Sequence, residues 1–432
     1  MKKVHFVGIG GIGMSALAQL FFDKGMQITG SDREASPVTE LLTSKGIMVV
    51  IGQKAEQVPA DAQILVYSDA VPEENPERTR AKELNIPQKS YFAMLGEISK
   101  GKKTIAVAGT HGKTTTTGML ARILHDADAS PTAIIGSIVK DFGSNYLSGT
   151  SDIFVVEACE YRDHLLELSP RILVITNLEW DHTDYFPSLA ALQETFRKAI
   201  ARVPQEGAIV TNPNDANIAP LLSGTRVRIV DYTKEPSYIL CLPGEFNVEN
   251  ARAAAAAARV VLPTISDAAI TESLAAFSGT WRRFEYKGKT ARGADVYDDY
   301  AHHPTAVNAT LKALRAKVSA GGGSASGGKG KIIVAFHPHL YSRTHDLLDE
   351  FAIAFAAADR VFVAPIYAAR EKDDGSISSE ILAERIRATG TDAVALDSFD
   401  AIEHALGEVE RGDTIMTMGA GDIYKVADKI IV

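Results

Sequence analysis

Two glycine-rich stretches carry the clearest chemistry in the sequence. The first, Gly8-Ile9-Gly10-Gly11-Ile12-Gly13, spaces its glycines G-x-G-x-x-G between an apolar β-branched run and a helical stretch, Met14–Phe22. Glycines at such a turn permit a tight bend and let backbone N–H groups approach a phosphate at the helix N-terminus. Asp32 ends the next expected strand, where a dinucleotide fold keeps its ribose-binding carboxylate. Three readings stay open for this loop: the diphosphate of a nucleotide or nucleotide-sugar, NAD(P), or a purely structural turn. The second stretch is Gly109-Thr110-His111-Gly112-Lys113-Thr114-Thr115. Here a strand enters a glycine turn and Gly-Lys-Thr opens a helix, so backbone N–H groups can cradle phosphates. Lys113 would reach the β- and γ-phosphates and the Thr114 hydroxyl would hold Mg²⁺. Val107 stands where the strict phosphate-loop pattern has its first glycine, so the loop is a variant form. Two such loops about 100 residues apart suggest two phosphorylated ligands in two domains, which disfavours a simple dehydrogenase.

Polar residues follow several further strand-like runs. Glu157 ends Ile153–Glu157, at the strand end that faces the ligand crevice in an α/β sheet. As a hard oxygen ligand it is a sensible partner of Thr114 for Mg²⁺. Glu179, Asp181, His182 and Asp184 cluster after Arg171–Thr176, with His182 a candidate for a second metal. Toward the C-terminus lie Asp298-Asp299-Tyr300-Ala301-His302-His303-Pro304, His337-Pro338-His339-Leu340-Tyr341-Ser342-Arg343 and Gly419-Ala420-Gly421-Asp422. The four histidines could suggest zinc. The lack of nearby cysteines and the adjacent prolines favour a pocket of hydrogen-bonding groups instead.

The elements that must position these residues alternate. Strand-like runs at Lys3–Gly8, Gln27–Ser31, Gln63–Ser68, Thr104–Ala108, Ile153–Glu157, Arg171–Thr176, Lys331–Phe336, Arg360–Ala364 and Thr414–Met418 are mostly separated by helix-length stretches. That alternation predicts parallel sheets flanked by helices. The 432 residues suggest roughly three domains. Cuts near Ser99–Lys103 and Ser278–Thr280 would give domains 1–100, 101–279 and 280–432, with a hinge expected near Gly279. The Gly/Ser stretch 319–330 reads as a loop within the third domain. A net charge of -9 excludes nucleic-acid binding through a globally basic surface. No apolar run approaches the roughly 20 residues of a membrane span, no signal peptide is expected, and two cysteines fit a reducing cytosol.

Nine stretches, taken in order, resemble the Mur ligases of peptidoglycan synthesis: Gly8–Ser15, Gly109–Thr115, Glu157–Tyr161, Thr176–His182, Asn247–Asn250, Trp281–Phe284, Asp298–Pro304, His337–Thr344 and Met418–Asp422. The resemblance implies an α/β protein of three domains: N-terminal Rossmann-like, central P-loop ATPase-type and C-terminal Rossmann-like. It implies a cytoplasmic, ATP-dependent ligase that joins L-alanine to the carboxylate of UDP-N-acetylmuramate through an acyl phosphate. By resemblance the UDP-sugar sits on Gly10, Gly11, Ile12 and Gly13 with Asp32 and Ser68. ATP lies on Gly109–Thr115, with Asn247 and Asn250 on the adenine side, Arg283 on the transferring phosphoryl group and Asp298 or Asp299 on the ribose. Thr114 and Glu157 hold one Mg²⁺, Glu157 and His182 a second, with Mn²⁺ as a substitute. Tyr300, His302, His339 and Arg343 line the amino-acid pocket, Arg343 facing the alanine carboxylate. Two positions depart from the family pattern. Phe246 replaces a common His, turning an adenine hydrogen bond into stacking, and Leu340 replaces an Arg found in some members. The rival readings are a murein tripeptide-recycling ligase, for which the chain is short, an NAD(P)-dependent oxidoreductase, which leaves Gly109–Thr114 unexplained, and a catalytically idle nucleotide-binding regulator.

Overall fold

Three sheets, each interleaved with helices, carry the glycine loops and polar clusters on their strand ends. The computed structural model describes residues 2–320 and 330–432, so positions 321–329 of the Gly/Ser stretch lie outside the described residues. The first sheet comprises β1 (Lys3–Val7), β2 (Gln27–Asp32), β3 (Met48–Ile51), β4 (Ile64–Tyr67) and β5 (Gln88–Ser90), in the order β3-β2-β1-β4-β5. All neighbours are parallel, with Val4 opposite Ile28 on one side and Ile64 on the other. The chain winds outward from β1 through β2 and β3, then returns to the far side of β1 as β4. The carboxyl ends of β1 and β4 therefore flank a topological switch point, where open α/β sheets bind ligands.

The second sheet comprises β6 (Lys103–Ala108), β7 (Thr132–Val139), β8 (Ser144–Leu147), β9 (Ile153–Glu157), β10 (Ile172–Ile175), β11 (Ala208–Thr211) and β12 (Arg228–Asp231). Its order is β12-β11-β10-β6-β9-β7-β8, and only the β7–β8 hairpin is antiparallel. Ile105–Ala108, Phe154–Val156 and Leu173–Ile175 are buried throughout. Such unbroken apolar runs are what parallel strands covered on both faces require. The helix Lys113–Asp126 follows β6 and packs on β7 and β9. Ala251 and Ala253–Ala258, all at most 1% exposed, let the helix Glu245–Val261 approach its neighbours closely.

The third sheet comprises β13 (Glu285–Lys289), β14 (Asp295–Asp299), β15 (Ile332–Phe336), β16 (Arg360–Val363), β17 (Asp392–Ala395) and β18 (Thr414–Met418). Its order is β13-β14-β18-β15-β16-β17, parallel except for β13–β14. Val334, Phe336 and Met416 look into one apolar layer with Phe351 and Phe355; Ile333, Ala335 and Ile415 look into the other with Ile402 and Ile423.

By internal contacts the chain forms two units. One holds the first two sheets (1–178, 193–239 and 250–278); the other holds the third sheet with 179–192, 240–249 and 279–432. Gly279, where the second unit resumes, has φ +93°. Each of the nine expected strands lies on a strand of these sheets. Several strands outside the nine expected ones are edge strands, such as Met48–Ile51, whose Met48 is 63% exposed; Ala208–Thr211, between β10 and β12, is an interior exception. The exposed edge strand lacks the apolar run of a strand buried on both faces.

Candidate active site

The first glycine loop leaves β1 with Gly8 at φ +79° and opens the helix Ile12–Asp23. The Gly10 N–H donates to Asp32 Oδ2 at 2.8 Å, and the Arg33 N–H donates to Asp32 Oδ1 at 2.7 Å. A Cβ at Gly10 would lie 2.8 Å from Asp32 Oδ2, so glycine is needed for this approach. Asp32 thus shapes the loop. Ser68 follows β4 directly, its N–H donating to Val7 O at 3.1 Å. Gly8–Gly13, Asp32 and Ser68 therefore share the carboxyl rim of the first sheet.

The second loop is fastened from β10. The Thr110 N–H donates to Asn177 O (3.1 Å), the His111 N–H to Asn177 Oδ1 (2.9 Å), and Asn177 Nδ2 back to His111 O (3.0 Å). Gly112 has φ +81°, and a Cβ there would lie 2.1 Å from Asn250 Oδ1. Asn250 is thus brought against the loop, where it also accepts from Thr116 Oγ1 at 3.3 Å. Lys113 Nζ curls back to donate to Gly109 O (2.5 Å), Thr110 O (3.2 Å) and Glu160 Oε1 (2.9 Å). Burial opposes the charge on Lys113, but the Glu160 carboxylate, with Glu157, outweighs it and holds the ammonium above its usual range. Burial pushes the neighbouring Cys159 thiol up to about 12, so it stays protonated.

Thr114 Oγ1 donates to Glu157 Oε1 at 3.0 Å, while Glu157 Oε2 accepts from the Gly136 N–H at 2.7 Å. One carboxylate oxygen is thereby clamped and the other turned toward the threonine hydroxyl. Two adjacent hard oxygen donors beside a phosphate loop fit Mg²⁺ or Mn²⁺. Gly136 makes room for this arrangement, since a Cβ there would lie 2.3–2.5 Å from the Glu157 carboxylate.

The second unit carries the remaining candidates. His182 has φ +53°, and its N–H donates to Asp181 Oδ1 at 2.6 Å. Arg343 is 1% exposed and donates to the same Asp181 oxygen from Nε (2.9 Å), with Nη2 at 2.8 Å. Its Nη1 contacts His339 Nδ1 at 3.2 Å. Burial raises the Asp181 carboxyl, but the Arg343 guanidinium prevails and holds it well below the usual carboxylate range. Burial, then Arg343, keeps His302 well below its ordinary value and takes His339 to about 3. Both rings are neutral at pH 7. His302 Nδ1 meets Tyr300 O at 2.8 Å, and the His302 and His339 ring centres are 6.0 Å apart. Tyr300, His302, His339 and Arg343 are thus brought together. The Arg283 guanidinium lies 4.9 Å above the Tyr300 ring.

Several expected site residues already have internal partners. Arg343 is spent on Asp181 and His339, so it braces the pocket instead of offering an open guanidinium. Asp298 is fully buried, accepting from Arg282 Nε (2.8 Å) and Thr417 Oγ1 (2.6 Å). Asp299 accepts from the Phe284 and Ala301 N–H groups. Both carboxylates anchor the start of the third sheet through these internal partners. Phe246 is partly buried against the core of the second unit. Asn247 is buried, its Nδ2 donating to Pro243 O at 2.7 Å. Leu340, fully buried with φ +73°, starts the turn that carries Arg343. Glu160 and Asn177 were passed over in the sequence. Their signal was position, three residues after Glu157 and directly after the Arg171–Thr176 run.

The chain matches the Mur ligase family catalytic domain over residues 3–103, the Mur ligase middle domain over 107–239, and the Mur ligase glutamate ligase domain over 282–421. It is 38% identical to the UDP-N-acetylmuramate–L-alanine ligase of Clostridium kluyveri, covering 99% of this chain and 97% of that protein. Its fold matches the crystal structure of the UDP-N-acetylmuramate-alanine ligase MurC of Thermotoga maritima with a TM-score of 0.81, at 28% identity over 100% of this chain and 98% of that one. A murein peptide ligase from Psychrobacter arcticus shares the fold at a TM-score of 0.74, with 24% identity over 100% and 98% of the two chains. Three consecutive domain matches and near-full-length identity of this order place the chain in the Mur ligase family.

Proposed function

We propose that this enzyme is the ATP-dependent ligase that joins L-alanine to the carboxylate of UDP-N-acetylmuramate, giving UDP-N-acetylmuramoyl-L-alanine, ADP and phosphate. The observation that carries the reading is the near-full-length identity to relatives named for that reaction, on a chain whose Lys113, Thr114 and Glu157 form a phosphate-loop site. No helix among the described residues is long and apolar enough to cross a membrane.

The proposed division of labour follows the sheets. Residues 1–100 take the UDP-sugar on the amides of Gly10–Gly13, beside Ser68. Residues 101–279 take ATP on Gly109–Thr115, with Asn250 behind Gly112. Residues 280–432 take the amino acid beside Tyr300, His302 and His339, with Arg283 assigned to the transferring phosphoryl group; His182, within 101–279, is assigned to a second cation. Carboxylate and triphosphate are both anionic, so their approach needs neutralising charge. A divalent cation, which Thr114 and Glu157 would hold, would supply part of it. Lys113 supplies the rest by transferring its donors from Gly109 O and Glu160 to phosphate oxygens. The substrate carboxylate attacks the γ-phosphorus and ADP leaves. The alanine amine then attacks the acyl phosphate, and phosphate departs. Neutral His302, whose Nδ1–H donates to Tyr300 O, can accept a hydrogen bond on Nε2 from the incoming ammonium group.

The test is phosphate release by purified enzyme with ATP and Mg²⁺, scored for L-alanine, glycine, L-serine and murein tripeptide. Release should require both UDP-N-acetylmuramate and L-alanine. Release independent of the amino acid, or tripeptide preferred over L-alanine, would sink the reading.

A further inference from the structure

Gly13, the last glycine of the first loop, faces a side chain that has no role in the chemistry above. Tyr91 opens the helix Tyr91–Ser99 directly after β5. A Cβ at Gly13 would lie 2.5 Å from Tyr91 Cζ and 2.6 Å from its hydroxyl oxygen, so this glycine exists to admit the phenol. β5 pairs with β4, placing Ser90 opposite Tyr67. Tyr91 therefore stands beside Ser68 on the carboxyl rim where the glycine loop lies.

Other contacts fix this rim against the second sheet. Asn145 on β8 donates from Nδ2 to Ile12 O and to Ser15 Oγ (2.9 Å), and its Oδ1 accepts from Gln19 Nε2 at 3.0 Å. β8 pairs with β7, whose Gly136 clamps Glu157. Phe92 stacks on His164 at 3.7 Å, and His164 Nε2 lies 2.7 Å from Asp69 Oδ2, joining the segment after Glu160 to the residue after Ser68. Burial, reinforced by the negative charge of Glu157, raises the Tyr91 phenol, which stays a neutral donor. A protonated hydroxyl between a diphosphate loop and a phosphoryl-transfer site has the right chemistry to meet an anionic acceptor.

We propose that the Tyr91 hydroxyl donates a hydrogen bond to the carboxylate-bearing sugar of the UDP-linked substrate, aiming its carboxylate from the glycine loop toward the phosphate loop. The proposal rests on the ligase reading. Tyr91→Phe keeps the ring against Gly13 and removes only the donor, which separates binding from packing. Calorimetry on wild type and Tyr91→Phe, titrating UDP and UDP-N-acetylmuramate separately, should give equal affinity for UDP and about tenfold weaker binding of the sugar acid, the size of one hydrogen bond to a charged group. KM for ATP should not move. Unchanged affinity for UDP-N-acetylmuramate overturns the proposal. So does an equal loss for UDP, which would make Tyr91 a support of the glycine loop. A wild type that binds UDP-N-acetylmuramate but forms no amide with L-alanine defeats the ligase reading and leaves the binding comparison to decide Tyr91.

Discussion

Arg343 and Asp181, 162 positions apart in sequence, form a buried ion pair in which Nε and Nη2 both converge on Oδ1, at 2.9 and 2.8 Å. Removing one partner strands the other charge in the interior. Arg343→Met should therefore destabilise the protein by about 3–5 kcal/mol, the usual cost of breaking a buried pair. Urea denaturation measures it. A loss below about 1 kcal/mol would mean that the pair is open to water.

Glu160 acts through Lys113. Glu160→Gln removes the countercharge that holds the ammonium in the loop. The expected result is a fall in kcat/KM for ATP of roughly ten- to hundredfold, from one charge-assisted hydrogen bond. Affinity for UDP-N-acetylmuramate should stay unchanged. Lys113→Ala should abolish turnover. Steady-state kinetics in ATP, paired with calorimetry of the UDP-sugar, separates the two effects.

Gly136 offers a steric probe of the cation site. Gly136→Ala places a methyl within 2.3–2.5 Å of the Glu157 carboxylate, which must turn away. The variant should need at least about tenfold more Mg²⁺ for half-maximal activity, the scale reported for disturbed metal-ligand support. Thermal melting without Mg²⁺ should move much less. An unaltered Mg²⁺ activation curve would remove Glu157 from the cation site.

Acid should weaken the second unit through its buried histidines. Burial takes His337 to about 4 and, with Arg343 nearby, His339 to about 3. In the unfolded chain both titrate near 6.5. Above that pH both states are neutral and the stabilisation is complete. As pH falls below about 6.5, the unfolded chain binds protons that the native rings refuse, costing about 1.4 kcal/mol per pH unit for each ring until the folded values are reached. The urea midpoint should drop between pH 7 and pH 5, and less steeply in His339→Gln. A flat profile refutes the assignment.

Phosphate chemistry was legible in contiguous residues because a glycine loop is a local object. Gly8–Gly13 and Gly109–Thr114 each lie between a strand and the helix that follows, so spacing alone reports the turn and its amides. Glu157 was legible for the same reason, as the last residue of an apolar run. The pairings were not. Lys113 with Glu160, Asn177 with His111, Tyr91 with Gly13 and Arg343 with Asp181 depend on sheet order: β6 between β9 and β10, β5 beside β4, and a turn beginning at a left-handed Leu340. The same dependence gave two expected site residues internal partners. Asp298 and Arg343 have the residue types of ligand-binding groups, yet burial gave each an internal partner. A side chain's charge is written in the sequence. Whether that charge faces a ligand or a neighbour is set by which strands the tertiary structure lays side by side.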